Sequence, residues 1–389
     1  MRFAVRFAFL LLVSLMTVAA PAAAQALGDE TYVSTARAAI LMDAKSGRIF
    51  YEKDADTPLA PGSMSKLMTQ AVVMDLVKSN ALSPDTMFTV STNAWKKGGA
   101  ASKGTTMYAK AKSEISVLNL LRGSIIASGN DACITLAEGI DGKEQTFVNR
   151  MNTKAEEIGL KNSSFRNSTG LADPAQKMSV RDLALLARYI ILNHPAFFTI
   201  YSEKSFNWSD INQPSRNPLL VDYPGADGMQ TGFTKDGGYG IVGTVERDGR
   251  RLIMVLAGMP SVDERKAEAE KMLDWGLSKF RAVEVYAEGD RVGRARVWGG
   301  KDDWVDLVTK TSFSVALTKE ERKTAEVKLT YKGPLLAPVK AGDEVGIVKV
   351  FIEGRVVAEL PVMTSTSVDP VDSMWQKALD SAMIMAFGG

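Results

Sequence analysis

A long apolar segment that follows a Pro-Gly pair places the strongest constraint on how this chain can fold. Pro61-Gly62 break the backbone before Ser63, and residues 67–77 then continue with little polar interruption. The apolar members of this run are Leu67, Met68, Ala71, Val72, Met74, Leu76 and Val77. A helix that is apolar nearly all round has to be buried on most of its sides. The segment therefore predicts a buried helix, with Ser63 where the helix begins.

The flanking segments predict an α/β domain. Residues 38–51 form two apolar runs around a Lys-Ser-Gly turn, which is a hairpin pattern. Residues 240–246 and 251–258 alternate in hydrophobicity on either side of an Asp-Gly turn and predict a second strand pair. Helical periodicity covers about residues 117–138, 145–158, 180–192 and 264–280. Strands at both ends of a helical middle indicate a sheet whose edges come from distant sequence.

From residue 282 the sequence changes to short β-rich runs punctuated by Gly and Pro. This texture predicts a separate all-β domain of roughly 80 residues. At 389 residues, the chain is also longer than one compact core usually supports. The predicted organisation is a signal peptide at 1–24, an α/β domain at 27–280, a β-rich domain at 282–363 and a helical tail at 370–389.

The N-terminus has the pattern of a secretory signal peptide. Arg2 and Arg6 precede an apolar run at residues 7–18, and residues 22–26 offer the small side chains of a cleavage site. The run is shorter than the about 20 residues that a membrane-spanning helix needs. The sequence therefore predicts export, with removal of the signal peptide.

The C-terminal tail predicts an amphipathic helix. Its apolar residues recur at i, i+3 and i+4 spacing and are Val371, Met374, Trp375, Ala378, Leu379, Ala382, Met383 and Ala386. Such a helix can lie in a membrane interface. Together with the predicted export, it predicts a periplasmic protein held on the outer face of the cytoplasmic membrane. Its polar face, with Asp372, Lys377 and Asp380, lacks the basic excess that anionic lipid favours. Docking on the protein's own surface is therefore the alternative.

Charge and single residues argue against several other classes of protein. Lys and Arg number 47 against 45 Asp and Glu, and the net charge of +2 gives no electrostatic footprint for nucleic acid. Cys133 is the single cysteine, so it cannot form an internal disulfide, and a buried apolar role fits it better than a catalytic thiol. His194 lies in an Asn-His-Pro turn and fits neither a Ser-His-Asp triad nor a metal site.

Ser63 and Lys66 form the first motif with chemical potential. Residues three apart on a helix lie on one face, roughly 5 to 6 Å apart, so the two side chains can interact. A desolvated lysine with a lowered pKa can take the proton of a serine hydroxyl without a histidine. The backbone amide of Ser63 at the helix start can also donate to an oxyanion. The alternative for this tetrapeptide alone is a capped helix start with a solvated lysine.

Two further polar elements follow. Ser128-Gly129-Asn130 lies between helical patterns, where Ser128 can relay a proton and Asn130 offers its amide to substrate or to Lys66. Its alternative is a helix-capping turn. The third element is residues 228–234, Gly-Met-Gln-Thr-Gly-Phe-Thr, which enter the first strand of the second pair.

Together the three elements resemble the active-site set of penicillin-binding proteins and serine β-lactamases, written Ser-x-x-Lys, Ser-x-Asn and Lys-Thr-Gly. The chain is most similar to the low-molecular-mass D-alanyl-D-alanine carboxypeptidases, through residues 60–69, 128–132, 165–171 and 227–234. The resemblance implies an α/β fold of the serine β-lactamase/DD-peptidase type. In that fold, a catalytic domain with an antiparallel sheet and a helical subdomain precedes a small all-β domain and a C-terminal amphipathic helix.

The resemblance also implies an activity. A serine carboxypeptidase of this type removes the terminal D-alanine from peptidoglycan stem pentapeptides, is inhibited covalently by β-lactams, and needs neither a metal nor another cofactor. By resemblance, Ser63 forms the acyl-enzyme, Lys66 is the general base, and Ser128 and Asn130 organise proton transfer and substrate. The strand carrying Gln230, Thr231 and Gly232 then holds the terminal carboxylate of the substrate.

The chain departs from the family pattern at one position, because Gln230 stands where the family has lysine. Glutamine keeps a hydrogen-bond donor but loses the charge, and charge-assisted hydrogen bonds are roughly twice as strong as neutral ones. We expect a loss of about 1 to 3 kcal/mol in binding or in transition-state stabilisation unless another cation compensates. Arg216 and Lys235 are the candidates, and the alternative for each is an ordinary solvated surface cation.

Three rival functions follow from the same motifs. A β-lactamase needs a glutamate over the serine, and the loose Glu203-x-x-x-Asn207 pattern lies late, in an unlike context. A peptidoglycan endopeptidase shares all three motifs. A peptidoglycan-binding protein inactivated by Gln230 is the rival outside enzymes.

Overall fold

The computed structural model describes residues 32–371. The predicted signal peptide lies outside the described residues, and so does the predicted amphipathic tail apart from Pro370 and Val371. Within them, the strands and helices have the following bounds.

The strands are β1 (Ala38–Asp43), β2 (Ile49–Lys53), β3 (Met87–Thr89), β4 (Glu114–Ser116), β5 (Ser205–Trp208), β6 (Ile211–Pro214), β7 (Ala226–Thr234), β8 (Gly238–Arg247), β9 (Arg250–Met259), β10 (Arg281–Tyr286), β11 (Arg291–Trp298), β12 (Trp304–Thr309), β13 (Phe313–Leu317), β14 (Glu326–Tyr331), β15 (Leu335–Leu336), β16 (Glu344–Ile352) and β17 (Arg355–Thr364). The helices are α1 (Lys66–Lys78), α2 (Thr92–Gly98), α3 (Val117–Ile125), α4 (Asn130–Asp141), α5 (Glu144–Glu157), α6 (Val180–Asn193), α7 (Pro195–Phe198), α8 (Leu219–Asp222), α9 (Val262–Lys279) and α10 (Glu321–Thr324).

The sheet of the α/β domain has five strands in the order β2-β1-β9-β8-β7, and its neighbours are antiparallel. The predicted hairpin at residues 38–51 supplies one edge, and β7, from far later in the chain, supplies the other. Asp248 and Gly249 join β8 to β9 with φ angles of 53° and 70°. Positive φ at both central residues is what a tight hairpin turn of type I′ requires. The predicted sheet with edges from distant sequence is therefore confirmed.

Helix α1 is buried by other helices, as its apolar sequence predicts. It contacts α3, α4, α5 and α6, and each of its residues from Lys66 to Met74 is buried. The sheet is also covered on both faces, since every residue of β1 is buried. Leu41 of β1 lies against Gly276 of α9, whereas Ile40 belongs to the core cluster shared with the helical middle.

The β-rich segment forms a six-stranded sheet in the order β14-β16-β17-β12-β11-β15 and a separate β10-β13 pair. These strands enclose a core of their own, which includes Ala295, Val297, Leu307, Val348, Val350 and Val362. Arg48, on the β1–β2 turn of the α/β domain, donates to the Ala316 carbonyl and pairs with Glu321. Phe50 stacks on Phe280 with ring centroids 4.0 Å apart. The Arg48 contacts join the two domains, and the Phe50–Phe280 stack lies beside them at the end of the α/β domain.

Among residues 32–371, no single helix has the length and apolar character to cross a membrane. One bent pair, Val180–Asn193 with Pro195–Ser202, passes that test by length and composition alone.

Candidate active site

Ser63 and Lys66 meet at the start of α1. Ser63 lies in a 3₁₀ turn at Gly62–Ser65, and Lys66 is the first α-helical residue. The Nζ of Lys66 donates to Ser63 Oγ at 2.7 Å and to the Thr169 carbonyl oxygen at 2.7 Å. The sequence pattern places Ser63 on the helix, whereas the structure places it in the tighter turn before it. A neutral amine at this distance can accept the proton of the hydroxyl.

Burial tunes Lys66. Its side chain is 0% exposed, and desolvation of the ammonium lowers the pKa of Lys66 to about 8, against smaller opposing effects of Cys133 and Asp131. Burial also raises the pKa of the Cys133 thiol to about 12, so that residue is uncharged near neutral pH. Asp131 is therefore the anion that opposes the desolvation of Lys66. The neutral base form of Lys66 is accessible at mildly alkaline pH.

A loop folded by Asn167 presents the Thr169 carbonyl to Lys66. The Asn167 Oδ1 accepts from Thr169 N at 3.1 Å, from Thr169 Oγ1 at 2.9 Å and from Gly170 N at 2.8 Å. Gly170 has a φ of 84°, and a Cβ there would lie 2.0 Å from the Gly62 carbonyl oxygen. Only glycine allows this approach. In the sequence, this stretch contributed to the family resemblance but had no assigned role.

Ser128 and Asn130 line the same cleft as Ser63. Ser128 has a φ of 57°, in the left-handed region that a residue with a Cβ seldom adopts. Its carbonyl accepts from Thr105 Oγ1 at 2.6 Å, and Asn130 N donates to Thr105 O at 2.9 Å. The Ser128 Oγ is buried and has no hydrogen-bond partner among the described residues. It is therefore free to exchange a proton with a bound substrate.

Asp131 anchors the loop opposite this motif. Its carboxylate accepts from Thr106 Oγ1 at 2.6 Å, Met107 N at 2.9 Å and Ala109 N at 3.0 Å. Burial raises the pKa of Asp131, while these hydrogen bonds act in the opposite direction. The contacts fix the Thr105 loop against α4, and with it the backbone of Ser128.

Gln230, Thr231 and Gly232 lie on the edge strand β7. Thr231 and Gly232 line the cleft, whereas Gln230 is not among the described residues that line it. Gln230 is 1% exposed, and its Nε2 donates to the Ser124 carbonyl at 3.4 Å. A Cβ at Gly232 would lie 2.5 Å from the Pro61 carbonyl oxygen. The glycine thus lets β7 pack directly against the turn that carries Ser63.

The cleft has a volume of about 1390 Å³ and is bordered by several cations. Arg216 and Lys235, the two predicted substitutes for the missing charge, both line it with exposed side chains. Arg265 lines it too, but is only 7% exposed, and its Nε has no hydrogen-bond partner among the described residues. The Arg265 Nη1 donates weakly to Gly240 O at 3.5 Å, and desolvation lowers the pKa of its guanidinium.

Arg265 is a site residue that the sequence pattern did not indicate, because it lies in a charged helical segment, where arginines are usually solvated. In the structure, Gly240 pairs with Gly232, so the guanidinium lies one strand away from the motif on β7. A buried cation with an unpaired donor beside the cleft suits a carboxylate better than an exposed lysine does.

The other residues weighed from sequence lie elsewhere. His194 bonds Asp75 Oδ1 at 2.9 Å, near the end of α1 opposite Ser63. Glu203 pairs with Arg122 and is not among the described residues that line the cleft. Within residues 32–371, no group of three or more His, Cys, Asp or Glu side chains could hold a metal ion.

Comparison with known proteins identifies the family. The family model for D-alanyl-D-alanine carboxypeptidase matches residues 23–261, and that for the C-terminal domain of penicillin-binding protein 5 matches residues 280–370. The chain is 38% identical to the D-alanyl-D-alanine carboxypeptidase DacD of Escherichia coli K12, over 85% of this chain and 86% of that protein. It is 36% identical to DacC of the same strain, over 86% of this chain and 84% of that protein.

Comparison with solved structures leads to the same family. Penicillin-binding protein 5 of Haemophilus influenzae superposes with a TM-score of 0.79 and 32% identity, covering 88% of this chain and 100% of that one. Penicillin-binding protein D2 of Listeria monocytogenes, solved in an ampicillin-bound form, matches 64% of this chain and 100% of its own, with a TM-score of 0.58 and 29% identity. The resemblance is confirmed, and so is the fold class as far as the α/β catalytic domain and the all-β domain are concerned. The chain belongs to the D-alanyl-D-alanine carboxypeptidase family of serine peptidases.

Proposed function

We propose that this protein is a penicillin-binding D-Ala-D-Ala carboxypeptidase that works through an acyl-enzyme on Ser63. The observation that carries the proposal is the 2.7 Å contact between the buried Lys66 Nζ and Ser63 Oγ, in a cleft that Ser128, Asn130 and Thr231 also line. The family match supports the same activity. The substrate is the D-Ala-D-Ala end of a peptidoglycan stem peptide.

The geometry supports a two-step reaction. Neutral Lys66 takes the Ser63 proton as Oγ attacks the carbonyl of the penultimate D-alanine, and the bond to the terminal D-alanine breaks. The departing amine receives a proton, for which the unpartnered Ser128 Oγ is placed as the relay. Water then hydrolyses the ester and frees Ser63. Because β7 is a sheet edge, its backbone at Thr231 can also pair with the extended substrate.

Acylation should follow the titration of Lys66. Since the pKa of Lys66 is about 8 and only the neutral amine is a base, the rate should rise about tenfold per pH unit below that value and level off above it. The measurement is the second-order rate constant for penicillin adduct formation by intact-protein mass spectrometry, across mildly acidic to alkaline pH. A rate that stays flat or falls across this range would contradict Lys66 as the base.

Arg265 should bind the substrate's terminal carboxylate. Replacing it by Gln should lower kcat/KM for a D-Ala-D-Ala peptide by about 10- to 100-fold, because a desolvated charge-assisted hydrogen bond is lost. Arg216→Ala should have a smaller effect, since that side chain is exposed. Arg322→Ala, on α10 of the β domain, is the control for loss of a distant arginine.

A C-terminally amidated peptide distinguishes carboxylate binding by Arg265 from a role of Arg265 in the fold, because the amide lacks the negative charge that the guanidinium would bind. The Arg265→Gln variant should process the amide about as well as the unaltered enzyme does. An equal loss on both peptides would show that Arg265 acts by supporting the fold.

The activity itself is tested with the mature protein and Ser63→Ala side by side. We expect a penicillin adduct that maps to Ser63, release of one D-alanine from a D-Ala-D-Ala pentapeptide, and neither event in the variant. An adduct without D-alanine release, together with cleavage of cross-linked stem peptides, would indicate an endopeptidase. Absence of any adduct would favour a peptidoglycan-binding protein disabled by Gln230.

We also propose that the protein is periplasmic and peripheral on the outer face of the cytoplasmic membrane. The basic and apolar pattern at residues 2–18 supports export, and the amphipathic pattern at 370–389 supports membrane contact. Deleting residues 370–389 should move the protein from the membrane fraction to the soluble periplasmic fraction. An unchanged distribution would indicate that the tail docks on the protein instead.

A further inference from the structure

Gln230 lies on the face of β7 that packs against α3 and, two residues further along the strand, against the turn that carries the nucleophile. Side chains two apart on a strand share a face, so Gln230 lies on the same face of β7 as Gly232. That face packs on the turn, because a Cβ at Gly232 would lie 3.1 Å from Met64 Cγ. The side chain of Gln230 is thus buried where β7 packs on α3, which is one of the helices that contact α1.

The partners of Gln230 are neutral. Its Nε2 donates to Ser124 O, and the Ser124 Oγ accepts from Gln70 Nε2 at 3.4 Å. The Gln70 Oε1 accepts from the Tyr201 hydroxyl at 2.6 Å, and burial raises the pKa of Tyr201 far above its usual value. Gln70 lies one helical turn after Lys66 on α1. No carboxylate belongs to this network of described residues, so a cation at position 230 would have no anionic partner within it.

We propose that Gln230 is a positioning residue that keeps this wall of the active site uncharged, so that one ammonium, Lys66, governs the proton on Ser63. The inference rests on the acyl-enzyme function proposed above. In consequence, the pH dependence of acylation reports one ionisation, and it lies at a higher pH than it would with lysine at position 230.

The charged groups around α1 are the same with either residue at position 230. The groups that act on Lys66 are on α4, where Asp131 is the carboxylate and Cys133 is a thiol that stays uncharged near neutral pH. Other ionisable side chains on the helices packed against α1, with their partners, are Arg122 (Glu203), Glu138 (Ser91), Asp141 (Arg150), Glu144 (Ser168), Lys154 (Asp75 and Glu157), Arg181 (Asp56), Asp182 (Ser163), Arg188 (Ala44 O), Tyr189 (Asp75) and the exposed Glu156. Arg216, Lys235 and Arg265 face the cleft. Desolvation and the opposing effect of Asp131 set the midpoint of the Lys66 titration, and a change of charge at position 230 shifts that midpoint.

The test compares Gln230→Lys with Gln230→Met in the mature protein. Lysine adds a positive charge near Lys66, which disfavours its ammonium form, so the midpoint of the penicillin acylation profile should fall by about one pH unit or split into two steps. Methionine removes the amide without adding charge, so the rate falls but the midpoint should stay. Equal midpoints for the unaltered enzyme and the Gln230→Lys variant, or an equal shift in the Gln230→Met variant, would overturn the proposal.

A second measurement does not depend on turnover. In protein labelled with ¹³C at lysine Cε, the Lys66 resonance is assigned by its loss in Lys66→Arg and titrated in each variant. The Lys66 titration should move to lower pH in Gln230→Lys and remain in place in Gln230→Met. If no penicillin adduct forms, the acyl-enzyme function fails, whereas an unmoved Lys66 titration refutes the role of Gln230 by itself.

Discussion

The burial of one lysine ammonium constrains most of the catalytic domain. Lys66 has no exposed surface, and an isolated charge in such a place is strongly disfavoured. Two oxygens, Ser63 Oγ and Thr169 O, lie at 2.7 Å from its Nζ, and the Asp131 carboxylate opposes the effect of desolvation. The charged and neutral forms are therefore balanced near a pH of about 8. A base that must both release and regain a proton needs such a balance.

This balance depends on backbone segments that come from distant parts of the sequence. The loop folded by Asn167 brings Thr169 O to the ammonium, and Asp131 holds the loop that fixes Ser128. Gly170 lets the Asn167 loop, and Gly232 lets strand β7, approach the Ser63 turn more closely than any side chain would permit. The geometry of the site is thus fixed by rigid backbone contacts, and small shifts in any one segment would change the environment of Lys66.

Sequence patterns predicted the parts of this arrangement that depend on local periodicity or on recognisable motifs. The apolar run after Ser63, the two hairpins and the β-rich texture after residue 282 each led to the right element. The 3₁₀ turn at Ser63 was missed because a tightened first turn leaves the same residue spacing as an α-helix. Thr169 O and Arg265 were missed for a different reason. A backbone carbonyl has no sequence signature, and Arg265 acquires its burial from tertiary packing against Tyr239 and the β8 strand.

A lysine at position 230 would both attract the substrate carboxylate and lower the pKa of the neighbouring base, Lys66. With Gln230 in its place, these two effects no longer come from one ammonium. A guanidinium stays charged across the range in which Lys66 titrates, so positive potential from Arg265 persists while the base changes state. A neutral amide at position 230 leaves that change to Lys66. Substrate attraction and proton transfer then respond to pH independently, because the permanent charge is on α9 and the titrating group is on α1.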